Sequence, residues 1–170
     1  MADHWQENVY PNLIDRGWSS ANDTLIDSLK PFIKPMYVDI GCNGGFLLSE
    51  VKGGIGVEYT HWLVQKCLER GLQAIKWDAH DLPFKDKAFN TSVLSTILHQ
   101  LNNWEQALSE GIRVAKTTIG IENYPGKSPW GVPNAGNEWV KSIVDPQYLG
   151  VKYGAEILDI DGIHYLFKIN

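Results

Sequence analysis

Residues 36–45 read Met36-Tyr37-Val38-Asp39-Ile40-Gly41-Cys42-Asn43-Gly44-Gly45, and the rest of the chain is organised around them. An apolar run with the composition of a buried strand passes directly into a glycine-rich turn. The apolar pattern then resumes at Phe46, Leu47, Leu48 and Val51 with helical spacing, so the local order is strand, tight turn, helix. Gly41, Gly44 and Gly45 let the backbone take positive φ and approach a ligand with no Cβ in the way, and the helix beginning near Gly45 presents backbone N–H groups. Turns of this kind usually hold nucleotides.

A second strand, Gly54-Ile55-Gly56-Val57, ends in Glu58, about 20 residues beyond Asp39. A carboxylate at that tip is placed to accept both ribose hydroxyls of an adenosine. The dinucleotide fingerprint G-x-G-x-x-G fails when read from Gly41, because Asn43 and Phe46 occupy its second and third glycine positions. An NAD-dependent oxidoreductase is therefore disfavoured.

The 170 residues suit one domain, large enough to build a core without staples. Apolar residues make up 44% and charged residues 21%, and no run approaches the ~18 apolar residues of a membrane span. The N-terminal Met1-Ala2-Asp3-His4-Trp5 lacks the regions of a signal peptide, so the expected location is cytoplasmic. Cys42 and Cys67 are expected to be free thiols, since one sits in the turn and the other in a helix. Neither they nor His4, His61, His80, His99 and His164 stand at metal-ligand spacing, so no metal is expected. A net charge of −5 disfavours a nucleic-acid surface, which must neutralise many phosphates.

Along the chain, residues 1–35 read as an N-terminal cap and helix. Leu25, Ile26, Leu29 and Ile33 mark one helical face, and Pro31 disturbs its end. The segment 36–123 is the expected core. After the first two strands come a helix over 60–70 with a stop at Gly71, a third strand at 73–77, a fourth at 91–94, a helix over 104–115 and a fifth strand at 118–121. Such alternation predicts an α/β fold: a doubly wound, mostly parallel, seven-stranded sheet flanked by helices, with ligands at the carboxyl ends of the strands. Residues 124–137 form a Pro/Gly-rich loop, residues 138–144 a short helix, and 155–160 with 163–169 a terminal antiparallel hairpin turning at Asp161-Gly162.

Asp39, Gly41 and Gly45 resemble the D-x-G-x-G-x-G pattern of class I S-adenosylmethionine-dependent methyltransferases, with Asn43 replacing the middle glycine. Asn tolerates the left-handed region better than other residues with a side chain. The resemblance continues through Glu58, Asp78-Ala79-His80-Asp81-Leu82-Pro83-Phe84, Ala88-Phe89-Asn90, Ile97-Leu98-His99-Gln100-Leu101, Glu110 and Arg113-Val114. In order and spacing these are similar to the small "domain 11" methyltransferases over roughly residues 36–123.

The resemblance implies S-adenosylmethionine as cofactor and S-adenosylhomocysteine as product. It implies a cofactor site of Asp39, Gly41, Cys42, Asn43, Gly45, Glu58, Tyr59, Asp78 and Ala79, with Glu58 on the ribose and Asp78-Ala79 on the adenine. His99, after the fourth strand, is the candidate catalytic residue. It is open to three readings: shaping the methyl-transfer pocket, acting as a base, or bonding to the backbone. Glu122-Asn123-Tyr124-Pro125 resembles the N-P-P-Y box of amino-methyltransferases but follows the fifth strand instead of the fourth. Trp18, Tyr124 and Trp130 are the candidate substrate residues; with Trp5, Tyr10 and Trp139 they form the aromatic groups expected to close over a small-molecule acceptor. The alternative function is a non-catalytic cofactor sensor or the accessory subunit of a partner enzyme, which the departure at Asn43 favours. Self-association is compatible with either reading.

Overall fold

A computed structural model of the protein describes residues 23–127 and 141–170. Trp5, Tyr10, Trp18, Trp130 and Trp139, and most of the loop expected over 124–137, lie outside the described residues. In chain order the elements are α1 (Asp23–Leu29), β1 (Tyr37–Ile40), α2 (Phe46–Glu50), β2 (Gly54–Glu58), α3 (His61–Glu69), β3 (Ala74–Lys76), β4 (Phe89–Ser95), α4 (Trp104–Val114), β5 (Ala115–Asn123), α5 (Pro146–Tyr153), β6 (Glu156–Asp159) and β7 (His164–Ile169). Short 3₁₀ turns at Lys30–Phe32 and Leu98–Gln100 follow α1 and β4. The first of them holds Pro31, which explains why the apolar face of α1 does not continue as α-helix.

Every residue of β1 is buried because the strand is flanked by β2 and β4, both parallel to it. The sheet order is β3-β2-β1-β4-β5-β7-β6, with β7 antiparallel to both neighbours, as the seven-stranded expectation requires. The connection reverses direction between β1 and β4, which opens a crevice at the carboxyl ends of those strands. One face of the sheet packs Tyr37, Val93, Ile119 and Ile121 against α1, α2 and α3. The other packs Val38, Ile40, Leu94 and Phe167 against α4 and α5. Fully burying a Leu or Phe stabilises by about 2 kcal/mol, so these two layers hold the crevice rigid from below.

Several elements differ from the sequence reading, β4 among them, which spans Phe89–Ser95 instead of 91–94. Strand β5 begins at Ala115, immediately after α4, instead of at Thr118. Its pairing with β4 extends back to Phe89 opposite Ala115, and the Lys87 ammonium donates to the Ile112 and Ala115 carbonyls at 2.9 and 2.7 Å. Strand β5 also runs on to Asn123, which draws Glu122 into the sheet. The helix expected over 138–144 is not seen across 141–144, where the chain is irregular. The helix lies further on, at α5, where the Asp145 carboxylate accepts from Gln147 N at 2.7 Å, Pro146 occupies the first turn and Gly154 closes the end with φ 64°.

Candidate functional site

The turn after β1 takes left-handed backbone angles at Gly41 (φ 75°), Asn43 (φ 52°) and Gly45 (φ 78°). Asn43 thus adopts the geometry that the middle glycine would supply, and its Oδ1 accepts from Gly44 N at 2.6 Å. A Cβ on Gly41 would lie 2.1 Å from Cδ1 of Ile97, and one on Gly45 would lie 2.6 Å from Cδ1 of Leu72 and 3.0 Å from Sγ of Cys67. The glycines are therefore demanded by packing beneath the turn as well as by backbone angle. The turn also satisfies its own donors: Gly41 N and Cys42 N reach Val57 O, Gly45 N reaches Cys42 O at 2.9 Å, and Asn43 N reaches Oε2 of Glu58 at 3.1 Å. Arg70 donates to the Gly44 carbonyl and lies over the Phe46 ring.

Two carboxylates meet here. Glu58, the last residue of β2, accepts from Asn43 N and, through Oε1, from Thr60 N at 2.8 Å. Burial pushes its carboxyl upward and these N–H donors pull it back, leaving it raised. Asp39 is 4% exposed; burial first and the Glu58 charge second push it up to about 7. Cys42 and Cys67 are free, as expected, and buried, with both sulfurs near the Asn43 carbonyl at 3.7 and 3.3 Å. Their mutual hydrogen bond, burial and the Asp39 charge raise the Cys42 thiol. Tyr59 is exposed beside Glu58.

Asp78 lies just past β3 on an exposed loop, where its Oδ1 accepts from His80 N at 2.9 Å and meets His80 Nδ1 at 2.6 Å. The backbone donor of His80 holds this carboxyl below its ordinary range. Ala79 packs against the apolar layer under α4. The loop is anchored by α4: Glu110 Oε2 accepts from Leu82 N at 2.7 Å, and Arg113 donates to the Leu82 and Phe84 carbonyls, to Asp86 and to both oxygens of Glu110. Glu110 and Arg113 thus set the position of the segment carrying Asp78 and Ala79.

His99 sits in the 3₁₀ turn after β4, its side chain 16% exposed. Its Nδ1 lies 2.5 Å from Oε2 of Glu122, a residue only 1% exposed, and the other Glu122 oxygen accepts from Leu98 N at 2.7 Å. Burial works against the imidazolium, but the Glu122 carboxylate outweighs it and raises the His99 pKa. Glu122 as a partner of His99 is not legible in sequence, because the sequence reading ends the fifth strand at 121 and puts Glu122 after it; its inclusion in β5 is what brings the two together. Register and alternation put Asp39, Ser95 and Asn123 on one face of the sheet and Glu122 on the other. Among the described residues Ser95 Oγ and Asn123 Oδ1 are buried without a hydrogen-bond partner, and both stand at the carboxyl ends of their strands. Tyr124 packs on Tyr165 with ring centroids 5.1 Å apart. Trp18 and Trp130 fall outside the described residues.

The chain matches the family described as methionine biosynthesis protein MetW over residues 27–133, more than half its length and all of β1 to β5. It belongs to that family. Its fold is that of class I S-adenosylmethionine-dependent methyltransferases. A Thermotoga maritima structure described as such a methyltransferase superposes with TM-score 0.75 at 17% identity, covering 97% of this chain and 95% of that one. An Archaeoglobus fulgidus methyltransferase gives 0.74 at 16%, covering 94% and 99%. A Haloferax volcanii protein solved in complex with the Trm112 methyltransferase activator gives 0.72 at 16%, covering 97% and 95%. Among curated proteins, an uncharacterized Methanocaldococcus jannaschii protein is 29% identical over 58% of this chain, which spans 51% of that relative. A tRNA (carboxymethyluridine(34)-5-O)-methyltransferase of Arabidopsis thaliana is 31% identical over 46% of this chain and 21% of its own length.

No helix among the described residues is long and apolar enough to cross a membrane. No group of three or more His, Cys, Asp or Glu side chains among them is arranged to hold a metal.

Proposed function

We propose that the protein binds S-adenosylmethionine across the turn from Asp39 to Gly45 and transfers its methyl group to a small-molecule acceptor. The observation that carries this reading is the pairing of a self-satisfied turn with two buried or half-buried carboxylates, Asp39 and Glu58. A turn that cradles a pyrophosphate must aim free N–H groups at it. Here the N–H groups of Asn43, Gly44 and Gly45 are already used within the protein, and the groups beside them, Asp39 and Glu58, are acidic and become negative on ionisation. That environment suits a cationic ligand without phosphates, as a sulfonium with an amino group is.

In this reading Glu58 keeps lone pairs for the ribose hydroxyls, Asp39 faces the amino acid end, and Tyr59 with Asp78-Ala79 flanks the adenine. Cys42 supports the turn from behind. The net charge of −5 and the family's description in methionine biosynthesis favour a small acceptor over RNA. Calorimetric titration with S-adenosylmethionine, S-adenosylhomocysteine and NAD tests the reading: the first two bind and NAD does not. Binding of NAD alone would overturn it.

A second reading, in which the protein works as the accessory or activated subunit of a partner, is favoured by the similarity to the Haloferax protein that assembles with an activator. Turnover by the isolated chain with any acceptor would remove the need for that partner.

A further inference from the structure

The geometry points to His99 and Glu122 as a proton-accepting pair, with Glu122 the positioning residue, which makes the acceptor a molecule whose nucleophilic atom carries a proton: a hydroxyl, a thiol or a protonated amine. This deepens the methyl-transfer reading and rests on it for the identity of the reaction, though not for the state of the pair.

Glu122 stands near the carboxyl end of the fifth strand and is wholly committed, one oxygen to Leu98 N and the other to His99 Nδ1. A carboxylate only accepts, so the shared proton belongs to Nδ1 and the lone pair to Nε2. Among the described residues Nε2 has no hydrogen-bond partner. The ring is further fixed through its own backbone, since the His99 carbonyl accepts from Lys141 N at 2.8 Å and Ser142 N at 3.1 Å. Burying a carboxylate at 1% exposure is costly, and pairing with Leu98 N and His99 Nδ1 offsets that cost while giving Glu122 a role that an apolar residue could not fill. Holding one tautomer, and stabilising the imidazolium once Nε2 takes a proton, is such a role. Among the described residues, the titratable groups near the pair include Tyr165, the register partner of Glu122 on β7, Tyr124, which packs on Tyr165, and Lys141, whose backbone N–H bonds the His99 carbonyl; the Tyr165 hydroxyl donates to Val144 O.

In the step, the acceptor's heteroatom forms its bond to the methyl carbon as the methyl–sulfur bond breaks, and the sulfur keeps that electron pair. The acceptor's proton passes to His99 Nε2 as that bond forms, or before it for a protonated amine, which has no lone pair until it is deprotonated, and from there goes to solvent. An acceptor that is already a carboxylate or a thioether has no proton to lose and would leave the pair without work.

The test is imidazole nuclear magnetic resonance on the full, ligand-free chain, with His99 assigned by comparison with His99→Asn. The expected result is the Nδ1–H tautomer above neutral pH, with a pKa that falls in Glu122→Gln. Gln keeps an oxygen for Leu98 N, and thermal unfolding checks that the variant is folded. An Nε2–H tautomer in the parent protein overturns the proposal by itself, even if the variant does not fold, and so does an unchanged pKa in a folded Glu122→Gln. A methylation screen pairs 4-nitrophenol, 2-mercaptoethanol and glycine with acetate and dimethyl sulfide. Loss of about 100-fold or more in His99→Asn with a proton-bearing probe supports the pair; methylation of acetate or dimethyl sulfide alone overturns it. The imidazole spectrum decides whether or not a probe is methylated. Failure of the cofactor reading appears separately, as absent binding of S-adenosylmethionine.

Discussion

Replacing Asp39 by Asn removes a charge from the middle of the sheet while keeping the side chain's shape, and the consequence depends on pH. Burial and then the Glu58 charge raise the Asp39 carboxyl from 3.8 to about 7. A carboxyl raised on folding stabilises the fold while protonated: the contribution is complete below the unfolded pKa and is lost as pH rises through the folded one. The rise is equivalent to about 4 kcal/mol, of which about 3 kcal/mol is lost between about pH 5 and about pH 8. Urea unfolding of the ligand-free protein at those two pH values measures it. The parent should lose about 3 kcal/mol more than Asp39→Asn over the interval, so the variant becomes the more stable protein at the alkaline end. A cationic cofactor near Asp39 would favour the ionised form, so its affinity should rise between about pH 6 and about pH 8 in the parent and stay flat in the variant. Parallel stability curves for the two proteins would refute the argument and would mean that water or a partner group already solvates this carboxylate.

Glu58→Gln keeps an acceptor for part of the turn but removes the charge; affinity for S-adenosylhomocysteine should fall about 10-fold by calorimetry. Gly45→Val places a branched side chain at φ 78° against Leu72 and Cys67, and should lower stability by about 3 kcal/mol in thermal unfolding even without ligand. The clash lies beneath the turn and not on the ligand side where the sequence alone would put it. Arg113→Ala leaves the half-buried Glu110 without its cation and frees the Leu82 and Phe84 carbonyls; a loss of about 2 kcal/mol and faster hydrogen exchange over 78–86 are expected. Cys42 and Cys67, at 4% and 0% exposure, should resist a thiol reagent until the protein is unfolded in urea.

The central part of this protein is legible in sequence because its chemistry is local. Strand, turn and helix at 37–50 follow from residues within one turn of each other, and Asn43 takes the left-handed angle for reasons contained in its own side chain. Glu58 at the end of β2 is equally local, since a strand of known length and a short turn before it put the carboxylate at the tip. The signal for α5 was also present, as Asp145, Pro146 and Gly154, although the sequence reading sets its helix at 138–144, of which 141–144 is irregular.

What tertiary structure alone decides is the set of meetings between residues distant in the chain. Arg113 gathers a loop about 30 positions earlier, and Glu122 receives Leu98 N and His99 Nδ1 only because β5 lies parallel to β4 and runs on to Asn123. Strand pairing in a parallel sheet is a long-range choice, and the face on which a residue falls changes with a slip of one position. That is why Asp39 could be named from the sequence but its elevated pKa could not, and why His99 stood as an isolated histidine until the fifth strand brought a buried carboxylate against it.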